Sequence, residues 1–501
     1  MIAHADLPRE LNLATWFVDR QVEQGRGDRT ALIAPEGRTT YSSLAARVNR
    51  CGNLLLDLGV RAQDRVLLVL GDSVDFVALW FGAQKIGAVT AEAYTFLQPK
   101  DYAYYLEYTD AAVVVADGTT EAAIREVAGE RQVLVVDETF GERLADVSDE
   151  LEPAPTTKDD VALWKFTTGS TGQPKGAVHP VHSPVLSNDW YADGVLGIRE
   201  DDVVLPVPKL FFGYARDLAA LYPFGVGGAG IVFPERSTAD RVFELVARHR
   251  PTILVNVPTL MRAMLDQPER DLSSLRLCTS AGEALPEELH RRWMDAFGVE
   301  VLDGIGSSEA YHIYISNQPH SARPGTLGQV VPGYTARVVD EDGRELPVGE
   351  TGRLWVEGDT TALMYWNARA SSVATYAGDV VMSGDLFARD ADGFFHYRGR
   401  ADDLLKVGGI WVAPQEIELC LAAHPDVAEC AVVGYEEDGL EKPRAFVVLR
   451  AGAVADAEAL QAHVKATLSP HKYPRDVRFV AELPRTGSGK TDRRALREVP
   501  A

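Results

Sequence analysis

Phe166 to His179 read FTTGSTGQPKGAVH, and Pro484 to Thr491 read PRTGSGKT. In the first stretch Thr167, Thr168, Ser170 and Thr171 supply hydroxyls, while Gly169, Gly172 and Gly176 let backbone N–H groups come close to a polyanion. Lys175 adds a point charge. Small residues crowded around one lysine fit a phosphate cradle better than a flexible polar turn. The second stretch ends in Gly489-Lys490-Thr491, which has the look of a nucleotide-binding loop. The full pattern G-x-x-x-x-G-K-[ST] needs glycine where Pro484 stands. It also needs a following helix and a metal-binding strand, for which residues 491–501 leave no room. A nucleotide-hydrolysing switch or kinase is therefore not expected, although Lys490 can meet phosphate by another route.

Further charged residues occupy turn-like positions. Glu309 follows Gly304-Ile305-Gly306-Ser307-Ser308, Asp385 closes SGD at 383–385, and Arg400 and Asp402 lie in GRADD at 399–403. Lys406, Gly408, Gly409 and Trp411 belong to KVGGIWVAP at 406–414. Taken singly, Glu309 reads as a surface carboxylate and SGD as an ordinary β-turn. Their combination with the loop at 167–176 is what carries information.

These segments need a scaffold, and the pattern around them predicts one. RVLLVL, AVVVAD, QVLVVD, VVLPV, GIVF, TILVNV and VEVLDGIG read as strands, and VALWKF leads into the loop as another. SSLAARVNRCGNLLLDLG, DFVALWFGAQKIG and ADRVFELVARHR read as helices. Such alternation predicts layered α/β structure with largely parallel sheets. Strand-turn-strand texture then predicts a small antiparallel β unit at about residues 325–400. After GRADD, helices at APQEIELCLAAHP and DAEALQAHVKATL with strands at VAECAVVGY and RAFVVLR predict a small α+β domain. The expected division is a large amino-terminal domain, 1–401, and a carboxy-terminal domain, 402–501.

The chain has 501 residues, an apolar fraction of 46% and a net charge of −23. So acidic a chain is not expected to bind nucleic acid, which calls for basic surface. From Pro470 to Ala501, however, eight Lys/Arg stand against four Asp/Glu, a balance that suits either a phosphorylated ligand or a solvated face. Four cysteines without metal-type spacing read as reduced packing residues of a cytoplasmic protein. MIAHADLPRELN does not read as a signal peptide, and FVALWFGAQKIGAV is too short and too polar to span a bilayer.

TTGSTGQPKG resembles the signature loop of the adenylate-forming enzymes: acyl-CoA synthetases, peptide-synthetase adenylation domains and luciferases. GIGSSE, SGD, GRADD, KVGGIWVAPQEIE and PRTGSGK resemble the later motifs of that family, in its order and across essentially the whole chain. KLFFGYARD (209–217), DGIGSSEAYHIYISN (303–317) and KVGGIWVAP look most like the benzoate-CoA ligase branch.

The resemblance implies a mobile carboxy-terminal domain and two half-reactions. A carboxylic acid attacks ATP to give an acyl-adenylate and pyrophosphate, and the acyl group then passes to a thiol. It implies ATP, Mg²⁺ and coenzyme A as co-substrates. A carrier-protein pantetheine arm or another nucleophile is the alternative acceptor. By the same resemblance, Thr167, Thr168, Gly169, Ser170, Thr171, Gly172 and Lys175 hold the β- and γ-phosphates, and Glu309 holds the metal. Gly304, Ile305, Gly306, Ser307 and Ser308 form the turn beside the nucleotide. Asp303 and Ala281-Gly282-Glu283-Ala284 border adenine, while Asp385 and Arg400 hold ribose. Many relatives place an aromatic ring where Ile305 stands, so adenine stacking is not expected here.

Lys490 is the implied catalytic lysine, bridging the substrate carboxylate and the α-phosphate. Asp402 is the hinge, and Lys406, Gly408, Gly409 and Trp411 face the thiol acceptor. The acid pocket is expected from Phe212, Gly213, Tyr214, Arg216, Ala281, Gly306, His312 and Ile313, with walls suited to an aromatic ring. His312 is either close to the carboxylate or a satisfied structural histidine. Arg216 and Asp217, with Glu92 and Tyr94 nearby, point to a hydroxy- or amino-substituted benzoate, unless the charges pair with one another. A homodimer is a prior for such enzymes.

Overall fold

Continuous burial along the central strands, whose successive side chains point to opposite faces, lets each sheet carry apolar layers on both sides. The computed structural model describes residues 1–168, 173–268, 270–407, 410–437, 440–469, 471–485 and 491–499, with backbone only at Thr168, Ile410, Trp411 and Leu440. A seven-stranded sheet runs in the order Met364–Tyr365, Pro174–Pro180, Val161–Thr168, Val89–Glu92, Arg65–Val69, Val113–Asp117 and Gln132–Val136. A nine-stranded sheet runs Gln329–Val330, Ile313–Ser316, Val301–Gly306, Leu277–Ser280, Ile253–Asn256, Val203–Pro206, Ala229–Ile231, Thr30–Ala34 and Gly37–Thr40. Neighbours in the middle of each sheet are parallel, and the antiparallel pairs lie toward the margins.

The two sheets share one core. Val66 and Leu68 from the first and Ile253 and Val255 from the second bury into a common apolar cluster with the helices between them. Their neighbours Leu67 and Val69 face a separate cluster, as does Leu254 on the other sheet. The middle layer includes helix Tyr41–Asp57, capped by the Thr40 side chain, and helix Val74–Lys85, capped by Ser73. In the second helix every residue except Asp75 is buried. A Cβ on Gly82 would lie 2.8 Å from the Gly52 backbone nitrogen and 2.9 Å from the Cys51 Cβ, so glycine is what lets these helices touch.

The smaller sheet is antiparallel and begins at Thr335, with strands Thr335–Val339, Thr351–Glu357, Tyr376–Ala377, Val380–Arg389 and Phe395–Arg400. This is later than the expected start near 325, because Gln329–Val330 pairs with Ile313–Ser316 and so belongs to the nine-stranded sheet. A short 3-10 turn, Ala401–Asp403, follows. Beyond it, strands Val427–Glu437, Leu440–Leu449 and Asp476–Phe479 form a three-stranded sheet with helices Pro414–Ala422 and Ala457–Thr467 packed on one side. Leu483 and Leu496 pack with Ala431, Val433 and Phe446 in a second cluster.

The cysteines are free, and three of the four are buried. Among the described residues no helix is long and apolar enough to cross a membrane. The basic excess beyond Pro470 is largely consumed within that region of the fold. Lys472, Arg478, Arg485, Arg493, Arg494 and Arg497 pair with Glu416, Asp476, Glu429, Glu418, Glu498 and Asp403. Arg475 lies over the Tyr473 ring.

Candidate active site

Strands Val161–Thr168 and Pro174–Pro180 pair as a hairpin with Thr167 opposite Lys175 and Thr168 opposite Pro174. Its tip, Gly169 to Gly172, lies outside the described residues. The pairing fixes where the tip leaves and re-enters the sheet. Lys175 Nζ is 5.0 Å from the centre of the Tyr365 ring and 3.4 Å from Ser371 Oγ. Tyr365 sits on the strand that pairs with this hairpin, and its hydroxyl donates to Glu309 Oε1 at 2.5 Å. Burial raises the Tyr365 hydroxyl pKa, and the Glu309 charge raises it further, so the phenol stays a donor. Tyr365, fifty-six residues from Glu309 in sequence, thus holds that carboxylate with its hydroxyl while its ring lies beside Lys175.

The segment from Asp303 to Ile313 turns back on itself tightly. A Cβ on Gly306 would lie 2.3 Å from the His312 carbonyl oxygen, which excludes any other residue there. Ser307 Oγ accepts from Ala310 N, Ser308 Oγ donates to Phe166 O at 3.3 Å, and His179 Nε2 lies 2.6 Å from Ser308 O. These bonds tie the turn to the hairpin of strands Val161–Thr168 and Pro174–Pro180. Ile305 is partly buried and presents only an aliphatic side chain. Asp303 stands opposite Ser280 in the parallel pairing, just before Ala281-Gly282-Glu283-Ala284, and Glu283 is held by Thr259. Burial holds the Asp303 carboxyl well above the usual range, and its Oδ1 has no hydrogen-bond partner among the described residues.

His312 is buried inside a ring of tyrosines, with centroids 5.0 Å from Tyr222, 5.5 Å from Tyr191 and 5.7 Å from Tyr214. Its Nε2 is 3.4 Å from the Tyr214 carbonyl, which can only accept, so the proton belongs on Nε2. Nδ1 is then a buried acceptor without a donor among the described residues. Burial lowers the imidazole pKa to about 3. Since a folded-state value this far below the ordinary one charges the ring only in strong acid, His312 is neutral throughout the physiological range. In histidine NMR of the free protein, its ring signals are expected to stay fixed from pH 5 to 8.

The charged residues beside the pocket do not face a ligand, which corrects the inference drawn from them. Arg216 donates through Nη1 to Glu92 Oε1 at 2.5 Å and through Nε and Nη2 to Asp217 Oδ1 at 3.0 and 2.9 Å. Trp80 Nε1 donates to the same Glu92 oxygen. Lys165 Nζ donates to Asp217 Oδ2 and to the Tyr311 carbonyl, both at 2.6 Å. All four charged groups are buried, and two cations balance two anions. Burial alone would raise the Asp217 carboxyl, but Arg216 and Lys165 hold it down to about 2. Burial lowers Lys165 to about 8, against the pull of Asp217. The cluster therefore says nothing about polarity in the substrate, and Arg216 has no free face to offer one.

Sequence reasoning passed over Lys165, and its position explains local strain. Tyr311 has φ of 76°, a left-handed conformation that a bulky residue adopts only when held there. The Lys165 ammonium binds the Tyr311 carbonyl and lies 3.6 Å from its ring centre, fixing the peptide that aims His312. A Cβ on Gly213 would come within 2.8 Å of Lys165 Nζ, so a larger residue there would push the ammonium group aside. Phe212 packs on Tyr94 at 4.9 Å, the Tyr214 hydroxyl bonds Thr279 Oγ1 at 2.7 Å, and Ala281 and Ile313 are buried nearby in the same core.

Asp385 and Arg400 are register partners in the smaller sheet, with Nη1 to Oδ1 at 3.4 Å, and Asp402 lies 3.7 Å from Arg400 Nη2. Lys406 pairs with Trp411 across a two-stranded ribbon, and its backbone N–H donates to Glu441. Gly408, Gly409 and Lys490 lie outside the described residues, as do the side chains of Thr168 and Trp411.

The sequence profile of the AMP-binding enzyme family matches residues 18–366, and that of the AMP-binding enzyme C-terminal domain matches residues 416–490. The chain belongs to the AMP-binding enzyme family. It is 43% identical to benzoate–CoA ligase of Thauera aromatica, over 98% of this chain and 97% of that protein. Among solved structures, the benzoate CoA ligase from Burkholderia xenovorans LB400 superposes with a TM-score of 0.91 at 40% identity, over 97% of this chain and 100% of that one. Anthranilate CoA ligase AuaEII, solved in complex with anthranoyl-AMP, superposes with a TM-score of 0.95 at 36% identity, over 99% and 98%. The expected layered α/β fold and the adenylate-forming resemblance are both borne out.

Proposed function

We propose that this chain joins an aromatic carboxylic acid to coenzyme A at the expense of ATP, by way of an acyl-adenylate. The substrate is benzoate or a hydroxy- or amino-benzoate. The observation that carries this reading is the turn from Asp303 to Ile313, which bonds the hairpin through Ser308 and the adjoining strand Met364–Tyr365 through Glu309, while its other end sets a buried imidazole among tyrosines. Likeness to ligases named for benzoate and anthranilate supports the same substrate class.

In the first half-reaction a carboxylate oxygen attacks the α-phosphorus, and the bond from that phosphorus to the oxygen bridging toward the β-phosphate breaks, releasing pyrophosphate. The groups assigned to the β- and γ-phosphates are Thr167, Thr168, the tip 169–172 and Lys175. Glu309, with one oxygen held by Tyr365, fits a hard divalent cation such as Mg²⁺, which spreads phosphate charge when bound. Asp303 Oδ1, buried and lacking a donor, suits the exocyclic amino group of adenine. Asp385 and Arg400 are assigned to ribose, and Ile305 covers the base without stacking. Phe212, Gly213, Tyr214, Ala281, Gly306, His312 and Ile313 line the acid pocket. Neutral His312 cannot act there as a cation, but its Nδ1 can accept from a ring hydroxyl or amino group, which keeps a substituted ring in the reading.

In the second half-reaction the thiol sulfur attacks the acyl carbon, AMP leaves and the thiol proton is lost to solvent. Rotation of the carboxy-terminal part, 402–501, about Asp402 would exchange Lys490 for Lys406, Gly408, Gly409 and Trp411. The enzyme is placed in the cytoplasm, with a homodimer as its assembly.

The deciding assay measures pyrophosphate with ATP, Mg²⁺ and a panel of substituted benzoates. Release that needs the acid, followed by a product of acyl-CoA mass once coenzyme A is added, is the expected result. Phosphate release without acid points to an ATPase, and pyrophosphate release with no thioester points to a carrier protein or another acceptor.

The described residues that flank 486–490 are held by ion pairs. Arg485 pairs with Glu429 at 2.6 Å and bridges to Thr491, while Arg493 grips Glu418 with two bonds of 2.5 and 2.8 Å. Glu418→Gln is therefore expected to slow acid-dependent pyrophosphate release about ten- to a hundredfold through misplacement of Lys490. Thioester formation from supplied acyl-adenylate should change far less.

A further inference from the structure

His4, Asp159 and His182 meet away from this site, on three segments far apart in sequence. His4 belongs to the first turn of the chain, His4–Asp6, Asp159 to the loop before strand Val161–Thr168, and His182 opens helix His182–Ser187. His4 Nε2 is 2.7 Å from Asp159 Oδ1, and His182 Nδ1 is 3.2 Å from the same oxygen. The three donor atoms lie within 4.8 Å of one another. Two ligands on one tetrahedral ion with bonds of about 2.0 Å stand about 3.3 Å apart, so only small shifts separate this cluster from a metal site.

Hydrogen bonding around His182 is short of a proton. Nδ1 lies 2.9 Å from the Lys158 carbonyl and Nε2 lies 2.9 Å from the Asp359 carbonyl. Both oxygens can only accept, yet a neutral imidazole has a single N–H. If Nε2–H serves Asp359, the Nδ1 lone pair faces the Lys158 carbonyl oxygen and the Asp159 carboxylate with nothing positive between them. A backbone carbonyl on the far nitrogen is also the usual outer partner of a metal-bound histidine. The neighbouring Lys158 spends its Nζ on the carbonyls of His4 and Leu7.

We propose that His4 Nε2, Asp159 Oδ1 and His182 Nδ1 bind a divalent transition-metal ion of the zinc class, with the Lys158 carbonyl positioned as a fourth oxygen donor. The ion ties the first turn of the chain to the base of the phosphate hairpin. The side chains of His4 and Asp159 are 32% and 62% exposed, which leaves an entry path from solvent.

The test uses the full chain stripped with chelator and then titrated with Co²⁺ or Zn²⁺, without ATP. Expected results are one equivalent bound at micromolar concentration, a visible Co²⁺ band of four-coordinate type, and a thermal midpoint that rises on metal addition. His4→Gln and Asp159→Asn each alter a partly exposed residue, so the fold survives. Each is expected to weaken binding at least tenfold and to cancel the midpoint shift. Excess Mg²⁺ should not compete, because this donor set suits softer ions. Millimolar binding, or binding that both variants retain, overturns the proposal.

Discussion

Lys490→Ala is expected to cut acid-dependent pyrophosphate release by about a hundred- to a thousandfold, the range seen when one preorganised charge-stabilising group is lost. Thioester formation from supplied acyl-adenylate and coenzyme A should remain within a few-fold of the parent. The asymmetry follows from the chemistry. Only the first half-reaction brings a carboxylate against a phosphate, so only there must an ammonium group offset two repelling anions. Rapid-quench measurement of the two halves separately is the check. Equal loss in both would mean that Lys490 shapes the lobe and does not serve the reacting atoms. The setting is favourable to a dedicated role, since the described basic residues beyond Pro470 are already engaged by carboxylates or by the Tyr473 ring.

Arg216→Ala should be the most damaging single change to stability outside the apolar core. It leaves Glu92 and Asp217 buried with only Lys165 to balance them. Removing one partner of a buried charge set costs about 3–5 kcal/mol. Denaturant unfolding should register this as a lower midpoint with an unchanged slope. The double variant Arg216→Met with Glu92→Gln restores a balanced pair of Lys165 and Asp217 and keeps an acceptor for Trp80. It is expected to recover most of the loss. A single variant costing less than about 1 kcal/mol, typical of an exposed pair, would show that water reaches the cluster.

The sequence was most legible where structure is periodic or local. Strand runs such as RVLLVL and TILVNV became strands Arg65–Val69 and Ile253–Asn256, because a parallel strand buried on both faces is written as a continuous apolar, β-branched run. The phosphate hairpin and the turn at Gly304 to Glu309 were readable as motifs for the same reason: each is a contiguous backbone shape. Long-range pairing was not readable. Arg216 and Glu92 are 124 positions apart, Lys165 and Asp217 are 52 apart, and no local pattern announces either bond. Lys165 looks like any polar residue in a strand, and Tyr365 like an ordinary aromatic, until the fold sets them against Tyr311 and Glu309. His312 stayed ambiguous because its surroundings come from tyrosines at 191, 214 and 222, which no spacing rule assembles. The small sheet was placed too early because Gln329–Val330 has strand character whichever sheet it joins.

The placement of strand Thr30–Ala34 has an effect during synthesis. Leu32 and Ile33 pair in parallel with Gly230 and Ile231, roughly two hundred positions later. Its other partner, Gly37–Thr40, emerges at once, but at ribosomal rates of about 5–20 residues per second the strand waits about 10–40 s for this parallel neighbour. Meanwhile residues 65–136 can already assemble their own strands, leaving an apolar ribbon, TALIA, hanging from a half-built molecule. Nascent chains of this protein should accordingly engage trigger-type chaperones until translation passes Ile231, and release them soon after.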